Sequence, residues 1–297
     1  MAKTFTQLNA DYLTLSKDSS TDNTTLGKTL INNYIRKVLS MKDWSFNTGF
    51  GTMTTVANQQ AYELPYDCYK VRSIRVLNGS TNYFPEEIVD RDDWNSLNRT
   101  TTTSDVPTYY HVNEDGQIEL YGIPATTGHT IYIYYRKTAR NFTASDYTTG
   151  TVTLTKGSVY VVGTGTLWTS DMAYRHFSLT DDGFWYEIAG YTNQAYLTLK
   201  KAFKGTSVAA GATPTYTIGE LVPFPEGHED IPLWGALAEY FRMRGENLSM
   251  SELYEKRYQE GIAILMRTDR RTEGNMIKNI AEISTTVDPN YPPQDLS

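Results

Sequence analysis

Hydrophobic residues recur every three to four positions at both ends of this chain and every second position through its middle, and this change of period confines the fold more than any other feature. In "TTLGKTLINNYIRKVLSMKDW", Leu26, Leu30, Ile31, Tyr34, Ile35, Val38 and Leu39 fall on one side of a helix, with Thr24 or Asn23 placed to cap it. The preceding "TFTQLNADYLTL" aligns Phe5, Leu8, Tyr12 and Leu15 in a shorter helix. Toward the other end, "HEDIPLWGALAEYFRMRGE" gathers Ile231, Trp234, Ala238 and Phe241, with Leu233, Leu237 and Tyr240 beside them. That is a mostly buried helix, started by Pro232 and stopped by Gly245. Ser249 and Glu252 read as a capping box ahead of "LYEKRYQEGIAILMRT", in which Tyr254, Tyr258, Ile262 and Leu265 line up.

Between these helices the period is that of strands. "TMTTVANQQAYELP", "KVRSIRVLNG", "PTYYHVNEDGQIELYGIP" and "TIYIYYRKTAR" form a first β unit, with turns at Asn78-Gly79 and Glu114-Asp115-Gly116. Within it, Asp90 or Asp92 can cap a short helix that carries Trp94 and Leu97. "GTVTLTKGSVYVVGTGTLWTS" then alternates Val, Leu and Tyr with Thr, Ser and Gly, and "FSLTDDGFWYEIAGYTNQAYLTLKKAF" repeats the arrangement around Asp182-Gly183 and Asn193. Five or six strands fit between Asp146 and Ile218.

The expected fold class is therefore α+β: a bundle of N- and C-terminal helices, a β-rich middle region, and an inserted small antiparallel β-sandwich or barrel. The expected segments are residues 1–45 and 220–283 for the helices, 46–145 for the first β unit, 146–219 for the insert, and 284–297 for an extended tail. The tail has three prolines in its last nine residues and no periodicity, so it cannot fold alone.

No run of apolar residues approaches the roughly 20 needed to cross a bilayer, and "MAKTFTQLNADYL" lacks the apolar core of a secretion signal, so no membrane contact and folding in a cytoplasm are expected. Cys68 is alone, which excludes an intrachain disulfide and Cys-rich zinc patterns. Net charge is −7, and residues 220–297 carry 14 acidic against 8 basic side chains. Tight DNA binding draws on a basic field, so this balance disfavours it; an acidic wall would let DNA slide past. The 23 tyrosines suit either protein contacts or cross-strand pairs in a β-rich chain.

A search for chemistry yields little. His111, His129, His176 and His228 stand far apart with no second His or Cys at ligand spacing, so no metal is expected. "DRDD" at 90–93 and "TDDG" at 180–183 do not match a calcium loop and are better explained as caps and turns. No nucleophile elbow or P-loop is present, and "GTGT" at 163–166 lacks a following helix. No enzyme activity and no cofactor are expected. "RTDRR" at 267–271 has two readings: cations favouring a helix C-terminus, or an acceptor for acidic patches on a neighbouring subunit.

The order of these elements resembles the head-to-tail adaptor, or connector, proteins of tailed bacteriophages. "LINNYIRKVLSMKDWSFNT" followed by "TTVANQQAYELPYDCYKVRSIRVLNG" is similar to the family's opening helix ending in a Trp, then its strand pair. "VPTYYHVNEDGQIELYGIP" looks like its next hairpin, and "FPEGHEDIPLWGALAEYFRMRGE" with "LYEKRYQEGIAIL" like its closing helical hairpin. Residues 146–219 resemble β inserts that some members carry.

The resemblance implies a virion protein of the neck, made in the host cytoplasm, that forms a twelve-subunit ring between a portal protein and a tail or nozzle protein. DNA would pass through its lumen without specific binding. Portal or neighbour docking would fall to Tyr291, Pro292, Pro293 and Leu296 in the tail and to Arg267, Arg270 and Arg271; the insert would contact the tail through Trp168, Trp185 and Tyr186. The alternative is a receptor- or glycan-binding module of a virion tail, with the same three aromatic residues exposed on β loops.

Overall fold

The computed structural model describes residues 2–284 apart from 100, 101, 105, 181 and 246, with side chains as far as 269. The expected tail, 284–297, therefore lies almost wholly outside the described residues. The architecture is mixed α/β, and the chain divides into two compact units: residues 42–139 form one, and those up to Met41 join those from Arg140 onward in the other.

The first helix, α1 (Phe5–Ser16), opens with a reciprocal cap, in which Thr4 Oγ1 accepts from the Gln7 amide at 3.2 Å and Gln7 Oε1 accepts from the Thr4 amide at 3.0 Å. Phe5, Leu8 and Tyr12 are buried along it, whereas Leu15 is 39% exposed. The next, α2 (Thr21–Ser40), is capped by Ser20, which accepts from the Asn23 amide, and not by Thr24 or Asn23 as the sequence suggests. Asn23 is buried instead: its side chain accepts from Tyr12 Oη at 3.1 Å and donates to Ser16 Oγ and the Asp18 carbonyl, tying α1 to α2. At Gly27 a Cβ would stand 2.5 Å from the Tyr12 ring, so that ring lies against bare backbone.

Residues 42–139 form a two-layer sandwich. In chain order its elements are β1 (Thr48–Thr54), β2 (Ala61–Glu63), β3 (Cys68–Asn78), β4 (Thr81–Tyr83), β5 (Glu86–Glu87), α3 (Arg91–Leu97), β6 (Thr103–Ser104), β7 (Tyr109–Val112), β8 (Gln117–Tyr121), β9 (Ile123–Pro124) and β10 (Thr130–Lys137). One sheet has the order β1-β10-β3-β4, the other β2-β8-β7-β5, and β6 and β9 make a short parallel pair. The alternation puts Val71, Ile74, Val76, Ile131, Ile133 and Tyr135 of the first sheet into one core with Tyr62, Tyr110, Ile118 and Leu120 of the second.

A second β region follows. Its strands are β11 (Thr151–Leu154), β12 (Tyr160–Thr164), β13 (His176–Leu179), β14 (Tyr186–Asn193), β15 (Tyr196–Leu199) and β16 (Tyr216–Gly219), with a 3-10 turn at Ser170–Met172. They form one antiparallel sheet in the order β11-β12-β15-β14-β13-β16. All six strands feed a single core around Trp168, Met172 and Phe203. One sheet can enclose its own core only by curling, and the result is a half-barrel where a small antiparallel sandwich or barrel is expected from the sequence.

The chain then pairs briefly with its own start. The Phe5 amide donates to the Glu220 carbonyl at 2.8 Å and the Val222 amide to the Lys3 carbonyl at 3.1 Å. Two more helices follow, α4 (Ile231–Arg244) and α5 (Leu248–Ser284). As expected, Pro232 lies in the first turn of α4 and Gly245, at φ 67°, ends it. The beginning of α5 differs from the sequence reading. The Asn247 carbonyl accepts from the Met250 and Ser251 amides, so Ser249 sits inside the first turn and the Ser249–Glu252 box does not define the start.

Contacts link α4 to α1, α2 and α5. The Tyr34 ring of α2 meets Tyr258 of α5 edge-on, with centroids 5.2 Å apart, and lies flat against Gly235 of α4, where a Cβ would come within 2.2 Å of it. No rotamer of a larger residue relieves that overlap, because it involves the Cβ itself, so the Tyr34 ring or the helix that carries it must shift. The Gly235→Val variant is expected to lose about 2 kcal/mol or more through overpacking, read as a lower denaturant midpoint at constant slope. Wild-type stability would contradict this close approach.

Candidate interaction surfaces

The sheet β1-β10-β3-β4 buries one face, and its other face carries an unusual set of side chains. Facing residues in an antiparallel pair share a side, so the register Phe50↔Tyr134, Thr52↔Tyr132, Tyr132↔Arg75 and Arg136↔Lys70 collects aromatic and cationic groups on the outside. Phe50 stacks on Tyr132 at 5.8 Å and tilts against Tyr134 at 5.2 Å. The Arg75 guanidinium lies 4.1 Å above the Tyr132 ring, and that of Arg136 is 5.2 Å from Tyr69. Irregularities in the β10–β3 register turn Arg72 and Tyr69 outward as well. Phe50 is 44% exposed, Tyr134 41% and Tyr69 67%. The carboxylate here is Asp43, which bonds Arg136 at 2.5 Å.

The opposite side of the sandwich is acidic. Asp90 caps α3 as the sequence suggests, accepting from the Asp92 and Asp93 amides at 2.8 and 3.1 Å. The helix is held on the second sheet by Trp94, which is 1% exposed, stacks on His111 and donates through Nε1 to Glu119 at 2.7 Å. Asp92, Asp93, Glu114 and Asp115 are exposed around it, with Arg91 within 4 Å of Glu114 and Glu119 and Arg99 at the end of the helix. The β10 sequence "TIYIYYRK" places large residues on both faces of its strand. Period alone therefore does not say which set is covered, and the outward aromatic face is not legible in it.

In the half-barrel, two of the three aromatic residues expected at a contact surface are elsewhere. Trp168 is 0% exposed and Tyr186 6%, both within the core, because the curled sheet closes over the loop that brings Trp168 inward. Trp185 is half-buried, with its Nε1 enclosed and without a hydrogen-bond partner. Together with exposed Phe184, Lys200, Lys201 and Lys204 it lines a groove of about 310 Å³, in which Lys200 pairs with Glu187 at 3.0 Å.

Of the residues expected to dock a portal or neighbour, Arg267 is exposed on α5. It does not lie at a helix end, since α5 continues to Ser284, and so the helix-terminus reading of "RTDRR" does not hold. The side chains of Arg270 and Arg271, and all of Tyr291, Pro292, Pro293 and Leu296, lie outside the described residues. Among the described residues there is no cluster of His, Cys, Asp and Glu able to hold a metal ion, and no helix is long and apolar enough to cross a membrane.

The sequence model of the SU10 adaptor protein family matches residues 3–168, more than half of the chain. The matched segment runs from the cap of α1 through the whole sandwich and into the half-barrel as far as Trp168, leaving α4 and α5 beyond it. No curated protein matches the chain.

Proposed function

Since this chain belongs to the SU10 adaptor protein family, and so to the structural proteins of bacteriophages, we propose that it forms a ring joining the portal to the tail, with the genome passing through the lumen. The observation that carries this reading is the family match itself, which covers α1, α2 and the sandwich in unbroken order. In this reading the protein is not an enzyme. Its terminal helices form a bundle that packs around a twelve-subunit ring in the virion neck, and the half-barrel projects toward a tail or nozzle protein, with Trp185 and its groove as the contact. Residues 284–297, Arg267, Arg270 and Arg271 serve portal or neighbour docking. The acidic balance of residues 220–297, 14 acidic to 8 basic, suits a surface that passes DNA without holding it.

The test is the mass of the purified protein, alone and mixed with its cognate portal, by light scattering or native mass spectrometry. Uptake of the chain by the portal in a fixed multiple of copies is expected. A chain that ignores the portal would remove this function.

A further inference from the structure

The sandwich of residues 42–139 is electrically polarised across its layers. One outer face carries Lys70, Arg72, Arg75 and Arg136 among exposed aromatic rings, with Asp43 as the counter-charge. The other, across the shared core and under α3, carries Asp92, Asp93, Glu114 and Asp115, with Arg91 and Arg99 as the cations. The two faces belong to opposite layers, so one copy cannot satisfy its own charges by folding the faces together.

From this polarity we infer that the cationic aromatic face is the docking site for the acidic α3 side of a second copy, giving a head-to-tail contact between sandwiches. Three features favour a second copy as the occupant. The charges are complementary between faces of one chain, as association of like copies demands. The exposed rings of Phe50, Tyr69 and Tyr134 give the cationic face partly apolar surface among its charges, the aromatic and arginine composition that interfaces favour. And a contact between different faces leaves the growing assembly with one face of each kind still open, so association continues until a ring closes. The inference deepens the ring reading above by naming the faces that meet.

The test is sedimentation of the full chain over a wide concentration range at on the order of 0.05 M and 0.5 M salt. Concentration-dependent association at low salt, weakened about tenfold or more at high salt, is expected. Two variants should each abolish it: Lys70→Glu with Arg72→Glu, and Glu114→Lys with Asp115→Lys. An equimolar mixture of the two should regain it, because each reversed face meets a reversed partner and each native face a native one; recovery also shows that both variants fold. A monomer under every condition, or association indifferent to salt and to both reversals, would overturn the inference. So would binding of a labelled single-stranded oligonucleotide that Lys70→Glu with Arg72→Glu abolishes while leaving self-association intact. If the reversals leave self-association unchanged while the portal still takes up many copies, the face assignment fails and the adaptor function stands. If the reversals act as expected and the portal is ignored, the assignment stands and the adaptor function fails.

Discussion

Replacing Trp168 by alanine will cost about 3–5 kcal/mol, the range for emptying a fully buried aromatic site. The ring is 0% exposed and reaches so close to the sheet that a Cβ at Gly163 would come within 2.8 Å of it, so few atoms can move in to fill the space. Its Nε1 donates to Tyr216 Oη at 3.2 Å, and the two rings meet edge-on with centroids 6.3 Å apart. The Tyr216 hydroxyl in turn donates to the Thr149 carbonyl, at the entry to β11. Burial pushes that hydroxyl up to about 12, so it remains a donor throughout the range in which the protein would be handled. The alanine variant removes a large apolar body and leaves a buried phenol with one partner fewer. Chemical denaturation followed by fluorescence of the remaining tryptophans measures the loss, and Trp168→Phe should recover part of it by restoring ring volume without the donor. A loss below about 1 kcal/mol for alanine would mean that the half-barrel collapses freely around the site.

The same tryptophan marks where reading the sequence succeeds and where it stops. The alternation of residues 150–170 identifies the hairpin, and Gly157, at φ 87°, turns it where expected. Alternation also assigns each residue to a face. It does not say which face is covered, and Trp168 lies past the last alternating pair, where its direction depends on how far the six-stranded sheet curls. β10 poses the converse problem: Ile131, Ile133 and Tyr135 enter the core while Tyr132 and Tyr134 stay outside, a choice made by the second sheet and not by the strand.

Caps show a local version of this. Asp90, one of the two caps expected for α3, follows directly from a side chain that finds the amides two and three residues ahead, and Thr4, not among the expected caps, does so for α1 with the amide three residues ahead. Asn23 has the chemistry of a cap, but Tyr12, Ser16 and Asp18 offer it buried partners, so Ser20 takes the helix start. The cationic face of the sandwich was hidden for a related reason. Lys70, Arg72 and Arg75 lie on β3, but Arg136 and the outward rings of β10 are far from them in sequence, and only the irregular β10–β3 pairing puts all of them on one face.

Glu220→Ala is expected to cost about 2–3 kcal/mol and to loosen the half-barrel from the helices. Glu220 is 7% exposed, and one carboxylate oxygen accepts from the Thr143 and Ala144 amides, both at 2.9 Å. Its backbone carbonyl accepts from Phe5, so the residue joins the exit of β16, the start of α1 and the segment that enters the half-barrel. Beside it, Asn32 of α2 exchanges two hydrogen bonds of 2.9 Å with the Phe142 backbone, and the Phe142 ring stacks on Phe5 at 5.7 Å. A hydrogen bond to a charged acceptor contributes about 1.5–3 kcal/mol, and because both amides share one oxygen at a partly buried site that water can reach, losing the two bonds costs less than twice that. Glu220→Gln keeps an acceptor oxygen but not its charge, and should lose less than half as much. Proteolysis supplies the readout that a global melt lacks. If Glu220 fastens the half-barrel to the helices, the alanine variant will be cut faster around residues 140–146 under native conditions while the rate within α2 stays unchanged. Equal acceleration at both places would mean that the substitution destabilises the fold as a whole and that the carboxylate is no local fastening.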